Sequence, residues 1–146
     1  MRTVNEIEIN APWKDVFKAA AEVGQWPRLL AHYRWVKVGP GKARREVVMA
    51  ASRDGIPCRW TAEQWLQPAK RRIRYLHTRS NFTQGMEVWW ILRPLGRKRT
   101  AVLLTHDLAA EPGLKGWFRQ AVVGDFFVHN IAGKTLAGLK RHLEAQ

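Results

Sequence analysis

The sequence predicts an α+β fold: a curved antiparallel sheet of about seven strands wrapped around one long C-terminal helix, with two short helices after the first strand. Three observations predict it. Residues 3–10 alternate apolar and polar with the period of a strand. Turn-forming clusters then divide residues 32–108 into six short segments. Beyond Glu111-Pro112-Gly113 the apolar spacing becomes helical for about thirty residues.

In the first segment Asn5, Ile7 and Ile9 lie opposite Glu6 and Glu8, as in a half-buried strand. Asn10-Ala11-Pro12 switches the period. Asn10 can cap a helix whose first turn holds Pro12, with Val16, Phe17, Ala20 and Val23 as its apolar stripe and Gly24 at its end. Gln25 to Leu30 reads as a second short helix starting at Pro27. Strands are expected near 32–38, 43–53, 56–66, 71–79, 84–93 and 99–108, and Asp54-Gly55 is the strongest hairpin signal between them. On the last segment Trp117/Phe118, Ala121/Val122, Asp125, His129, Ala132, Leu136, Leu139 and Leu143 fall on one face at helical spacing. Gly124, Gly133 and Gly138 weaken its intrinsic helicity, so tertiary packing must hold it.

The length of 146 residues suits one domain, 1–146. Cys58 stands alone, which excludes an internal disulfide and points to a reducing compartment. No signal-peptide pattern and no membrane-length apolar run occur, so a soluble, cytoplasmic protein is expected. The histidines (32, 77, 106, 129, 142) lack metal-ligand spacing, and no phosphate-binding glycine loop or nucleophile elbow is present. Neither a metal nor a cofactor is expected.

Two features stand out: 25 Lys and Arg against 12 acids, a net charge of +13, and eight Trp. Much of the charge sits in clusters, Lys42 to Arg45, Lys70 to Arg74, Arg97 to Arg99 and Lys140-Arg141, mostly at turns or on outward faces. They read as a solvated basic exterior. The alternative is a docking surface for an acidic protein partner or an anionic lipid surface. Nucleic acid is disfavoured, because the clusters lack spaced aromatics and no known docking motif occurs.

Strand alternation places Tyr75 and His77 inward with Ile73, opposite Arg72 and Arg74. His106 joins Val102 and Leu104 on an inward face; Trp60 and Gln64 share one with Ile56, Cys58 and Ala62. On 84–93 the periodicity favours Met86, Val88 and Trp90 inward. These residues suggest an aromatic cavity with a few orienting polar groups. The alternative is that they are core residues with satisfied hydrogen bonds. Asp125 and His129, four apart on the helix, could make a carboxylate-oriented general base, or simply a helix-surface pair.

The order of elements, and the segments EIEINAPWKDVFKAAAEVGQWPRLLAHYRWVKV, WTAEQWLQPAKRRIRYLHT, TAVLLTHDLA and GKTLAGLKRHLE, resemble the START-like superfamily of helix-grip proteins, and within it the polyketide cyclase/dehydrase branch. The resemblance covers essentially the whole chain. It implies a deep pocket between the concave face of the sheet and the long helix, of the kind used for lipids, polyketides and other hydrophobic molecules. It matches Tyr33 and Trp60 to pocket positions, and it puts Trp89 rather than Trp90 at the usual pocket tryptophan, with Glu87 inward beside it. The family's helix asparagine falls at His129 or Asn130. Aromatase/cyclases of this branch usually carry an arginine where this chain has Gln64, thought to polarise a substrate carbonyl. A neutral amide cannot replace that cation.

The expected ligand-contacting set is therefore Trp26, Tyr33, Trp60, Gln64, Tyr75, His77, Trp89, His106 and His129. Binding of a hydrophobic or aromatic small molecule is the leading expectation. The alternatives are a polyketide cyclase, aromatase or dehydratase moving protons with His77, His106 or His129 and Asp125, and a basic surface module for an acidic partner.

Overall fold

The computed structural model describes residues 1–146. Strand β1 (Arg2–Ile9) is followed by helix α1 (Trp13–Ala21), a single 3₁₀ turn at Val23–Gln25 and the short helix α2 (Trp26–Leu29). Six strands follow as a meander: β2 (Tyr33–Val38), β3 (Arg44–Arg53), β4 (Ile56–Gln67), β5 (Arg72–Arg79), β6 (Glu87–Gly96) and β7 (Arg99–Asp107). Their order in the sheet is β1-β7-β6-β5-β4-β3-β2, every pair antiparallel. The meander begins at one edge and returns to lay β7 against β1. The sheet is curved and open, and a 32-residue C-terminal helix packs across it.

Local chemistry explains the joints. Asp54 and Gly55 both have positive φ, 49° and 88°, the conformation that a two-residue hairpin turn between β3 and β4 demands. Helix α1 differs from expectation at its start: Pro12 occupies the cap position without a side-chain cap. Asn10 instead donates its backbone N–H to Glu144 Oε2 at 2.8 Å, tying the end of β1 to the end of the long helix.

Alternation then builds the core. Val47, Met49 and Ala51 of β3, Trp60 and Ala62 of β4, Ile73 and Tyr75 of β5, Val88, Trp90 and Leu92 of β6, and Val102 and Leu104 of β7 all face the helices and are buried. The outer face carries the opposite set. There Trp65 lies between the guanidinium groups of Arg44 (5.0 Å) and Arg74 (4.5 Å), and Trp89 lies beneath Arg72 (4.9 Å). The basic clusters are thus interleaved with aromatics after all. Tryptophans far away in sequence come alongside them through strand pairing, Trp65 opposite Arg74 and Arg74 opposite Trp89.

The long helix departs most from its periodicity. It runs as α3 (Gly113–Val122), a π-helical segment (Val123–Ala132) and α4 (Gly133–Glu144) without a break. A π segment bonds i to i+5 and takes about 4.4 residues per turn, against ~3.6 in an α-helix. Counting back from Ala132, the inward face therefore passes through Phe127, Val128 and Val123. It then reaches Gly116 in α3. Asp125, His129, Trp117, Phe118 and Ala121, expected on the buried stripe, are exposed. From Ala132 onward, Leu136, Leu139 and Leu143 are buried as expected. No helix is long and apolar enough to cross a membrane.

Candidate ligand-binding site

Where the sheet curves under the long helix, fourteen residues enclose a chamber of about 40 Å³. Trp26, Tyr33, Trp60, Tyr75, His77 and His106 line it, six of the nine residues in the expected set. The volume suits one to about three water molecules or one small functional group, given that a water needs at least ~10–15 Å³. The deep cavity implied by the family resemblance is thus largely filled by its own aromatic side chains. Trp26 packs against Tyr33 (5.1 Å between ring centres) and Trp90 (6.0 Å), and Phe127 against Trp60 (4.9 Å), His77 (5.4 Å) and His106 (5.9 Å).

The larger space lies to the side. A groove of about 960 Å³ opens between the β3–β4 hairpin, the loop before β6, and the helix at Val122 to Phe127. Trp35, Ile56, Phe82 and Phe126 give it apolar walls. Trp60 and Phe127 line both groove and chamber, so their edge-to-face pair is the partition between the two.

The polar groups of the chamber are few. His77 stacks parallel on Trp60, with an interplanar angle of 2°. Its Nδ1 lies 2.8 Å from the Thr83 hydroxyl, which fixes the ring. Burial, with the neighbouring His106 as a lesser cause, lowers its pKa to about 3. Burial likewise lowers His106 to about 4. Both imidazoles are therefore neutral at neutral pH. His106 Nδ1 is buried without a hydrogen-bond partner. The Tyr33 and Tyr75 hydroxyls have pKa values raised by burial and stay protonated.

Three expected residues sit elsewhere. Trp89 is on the outer face, its Nε1 donating to Glu87 Oε1, while Trp90 takes the chamber wall. Strand periodicity indicated Trp90, and the family resemblance led away from it. His129 is exposed on the helix, as is Asp125, which is bonded to Arg53 rather than to His129. Gln64 is fully buried but behind the chamber wall. Its Nε2 donates to the Tyr75 hydroxyl (2.8 Å) and to Ala21 O (3.2 Å). Its Oε1 accepts from Arg45 Nε at 2.6 Å. Arg45 Nη2 also donates to Ala21 O, at 2.8 Å. The guanidinium is held behind Gln64, and no cation lines the chamber. The α-helical spacing of the sequence turns Phe127 away from the interior, and only the π segment brings it in.

The family model described as polyketide cyclase/dehydrase and lipid transport matches residues 1–144. The chain belongs to that family. Among curated proteins, a bifunctional cyclase/dehydratase of actinorhodin polyketide synthase from Streptomyces coelicolor is 31% identical over 147 residues, covering 94% of this chain and 42% of that protein. This family member thus spans less than half the length of that relative. Among solved structures, the Zhui aromatase/cyclase from Streptomyces sp. R1128 matches with a TM-score of 0.83 at 19% identity, over 99% of this chain and 93% of that one. A START superfamily protein from Mycobacterium smegmatis matches with a TM-score of 0.78 at 11% identity, over 99% and 97%. This family member therefore has the START-like helix-grip fold.

Proposed function

We propose that this family member binds a hydrophobic or aromatic small molecule, polyketide- or lipid-like, with its body in the lateral groove and one polar tip reaching the inner chamber as the Phe127 ring turns aside from Trp60. His106 carries the reading. Its Nδ1 is buried without a partner in a ring that lines a chamber otherwise dominated by Trp26, Trp60, Trp90 and Phe127. An unpaired buried polar atom costs about 1–3 kcal/mol, which a ligand hydroxyl or carbonyl reaching the ring offsets. The groove supplies the volume the chamber lacks. A cytoplasmic setting goes with this reading, supported by the single free Cys58.

The cyclase/dehydratase relative supports a second reading, in which His77 or His106 accepts a proton from the ligand. Imidazoles held neutral down to about 3 and about 4 are weak bases, and no cation stands ready for a developing oxyanion. Binding is the better supported of the two.

Native mass spectrometry and tryptophan fluorescence titration against soluble polyaromatic phenols, ketones and acyl chains test this. The expected result is a one-to-one complex. His106→Leu should weaken it at least tenfold for ligands ending in a carbonyl or hydroxyl, but not for hydrocarbon analogues. Absence of a complex with any of them, in the wild type and in Phe127→Ala alike, would overturn the reading. Conversion to a cyclised or dehydrated product, lost in His77→Leu and His106→Leu, would replace binding by catalysis.

A further inference from the structure

We infer that the exposed tip of the long helix, with the two loop tips beside the lateral groove, is a docking face for an anionic lipid bilayer. Leu114, Trp117 and Phe118 of α3 are 81%, 67% and 55% exposed. Ile56 on the hairpin and Phe82 on the loop before β6 are 58% and 40% exposed. Large apolar side chains this open, gathered at one end, mark an interaction site rather than scattered surface residues.

The exposure is built into the packing. Gly116 is buried against the preceding chain, so closely that a Cβ there would lie 1.7 Å from the Glu111 carbonyl oxygen. With Gly116 held inward, Trp117 and Phe118 must point out. Arg119 donates to the carbonyls of Phe82 (2.9 Å) and Gln84 (2.7 Å) and pairs with Glu111 (3.4 Å), fastening the helix to the loop. The face is therefore a fixed array. Leu114, Phe118, Val122 and Phe126 follow one another four residues apart. The inner two line the groove, so its apolar wall continues outward onto the surface.

Charge identifies the occupant. Arg34, Arg59 and Arg79 line the groove and make no ion pair, and no Asp or Glu lines it. Lys115 is exposed between the apolar residues of the helix tip, and the chain carries +13 overall. Trp, Leu and Phe projecting among Lys and Arg match the apolar-core and anionic-headgroup layers of a membrane surface. The apolar residues also project from three separate elements, an arrangement that needs no matching hollow in a partner. A second copy would bring the same cations face to face across a two-fold contact. Docking in this way turns the groove toward the bilayer; that a ligand passes through it rests on the binding reading above, whereas the docking itself does not.

Co-sedimentation with vesicles of phosphatidylcholine alone, and with about one-third phosphatidylglycerol, tests the inference without any ligand. The protein should bind the anionic vesicles and not the neutral ones, and about 0.5 M salt should weaken binding severalfold. Combining Leu114→Ser, Trp117→Ser and Phe118→Ser should weaken it more than tenfold with the unfolding midpoint retained. Combining Arg34→Gln, Arg59→Gln and Arg79→Gln should weaken it severalfold and provides an independent variant. Failure to bind anionic vesicles at low salt, or binding that the serine variant leaves intact, would overturn the inference. Retention on immobilised polyglutamate, lost in the serine variant without vesicle binding, would reassign the face to an acidic protein. A dimer in sedimentation velocity that becomes monomeric in the serine variant would reassign it to a second copy. None of these outcomes depends on whether a small-molecule ligand is found.

Discussion

Gln64 shows how one buried side chain can tie three elements together. It is completely buried, and it bonds Tyr75, Ala21 and Arg45 at once. Gln64→Leu leaves the Tyr75 hydroxyl and the Arg45 guanidinium short of partners and should cost about 2–3 kcal/mol in chemical denaturation. Gln64→Arg should be worse than Gln64→Leu by the same measurement, because it sets a second guanidinium against Arg45 in a buried site. Phe127 matters for the opposite reason, since it fills space. Phe127→Ala should cost about 3–5 kcal/mol. It should also join the chamber to the groove, so that bulkier aromatic ligands are accepted in fluorescence titrations.

At the scale of elements, the long helix separates sequence pattern from structure. Its α4 half keeps the spacing that Ala132, Leu136, Leu139 and Leu143 announce. Its middle does not, because ten residues of π-helix rotate the buried face by about two positions and exchange His129 and Asp125 for Phe127 and Val128. Nothing in residues 123–132 announces a wider turn. What holds it is the fit of Phe127 among Trp60, His77 and His106, a tertiary contact. Two glycines test the helix packing. Gly116→Ala should destabilise by about 1–3 kcal/mol despite alanine's better helix propensity, because its methyl group meets the Glu111 carbonyl. Gly124→Ala meets nothing within 4 Å and should be neutral or stabilising by up to ~1 kcal/mol. Thermal melts of the two variants side by side distinguish packing from propensity.

For the whole molecule, the interior is neutral and the exterior basic, and each has a measurable consequence. His77 and His106, with folded pKa values of about 3 and about 4, titrate in the unfolded chain near 6.5. Their folded values are depressed, so between those limits the unfolded state binds protons that the folded state refuses. Stability is then fully present above about pH 6.5 and falls as pH drops toward about 4, at up to ~1.4 kcal/mol per pH unit for each histidine. Urea midpoints measured over that range should decline steeply in the wild type and less so in His106→Leu. The exterior draws its positive charge from the 25 Lys and Arg. Part of it is stacked on Trp65 and Trp89, which is why abundant arginine and abundant tryptophan do not describe one ligand site.

The sequence by itself determined the element order, the hairpin at Asp54-Gly55, and the inward positions of Trp60, Tyr75, His77, Trp90 and His106, because strand alternation and turn conformation are local properties of the chain. The family resemblance, resting on the same segments, indicated the helix-grip architecture correctly and Trp89 incorrectly. Only the tertiary structure decided how much of the interior is empty, which face the long helix presents, and what Gln64 touches. Each of these depends on side chains that meet across elements remote in sequence, Phe127 against Trp60 and Arg45 against Ala21, and no local period encodes such a meeting.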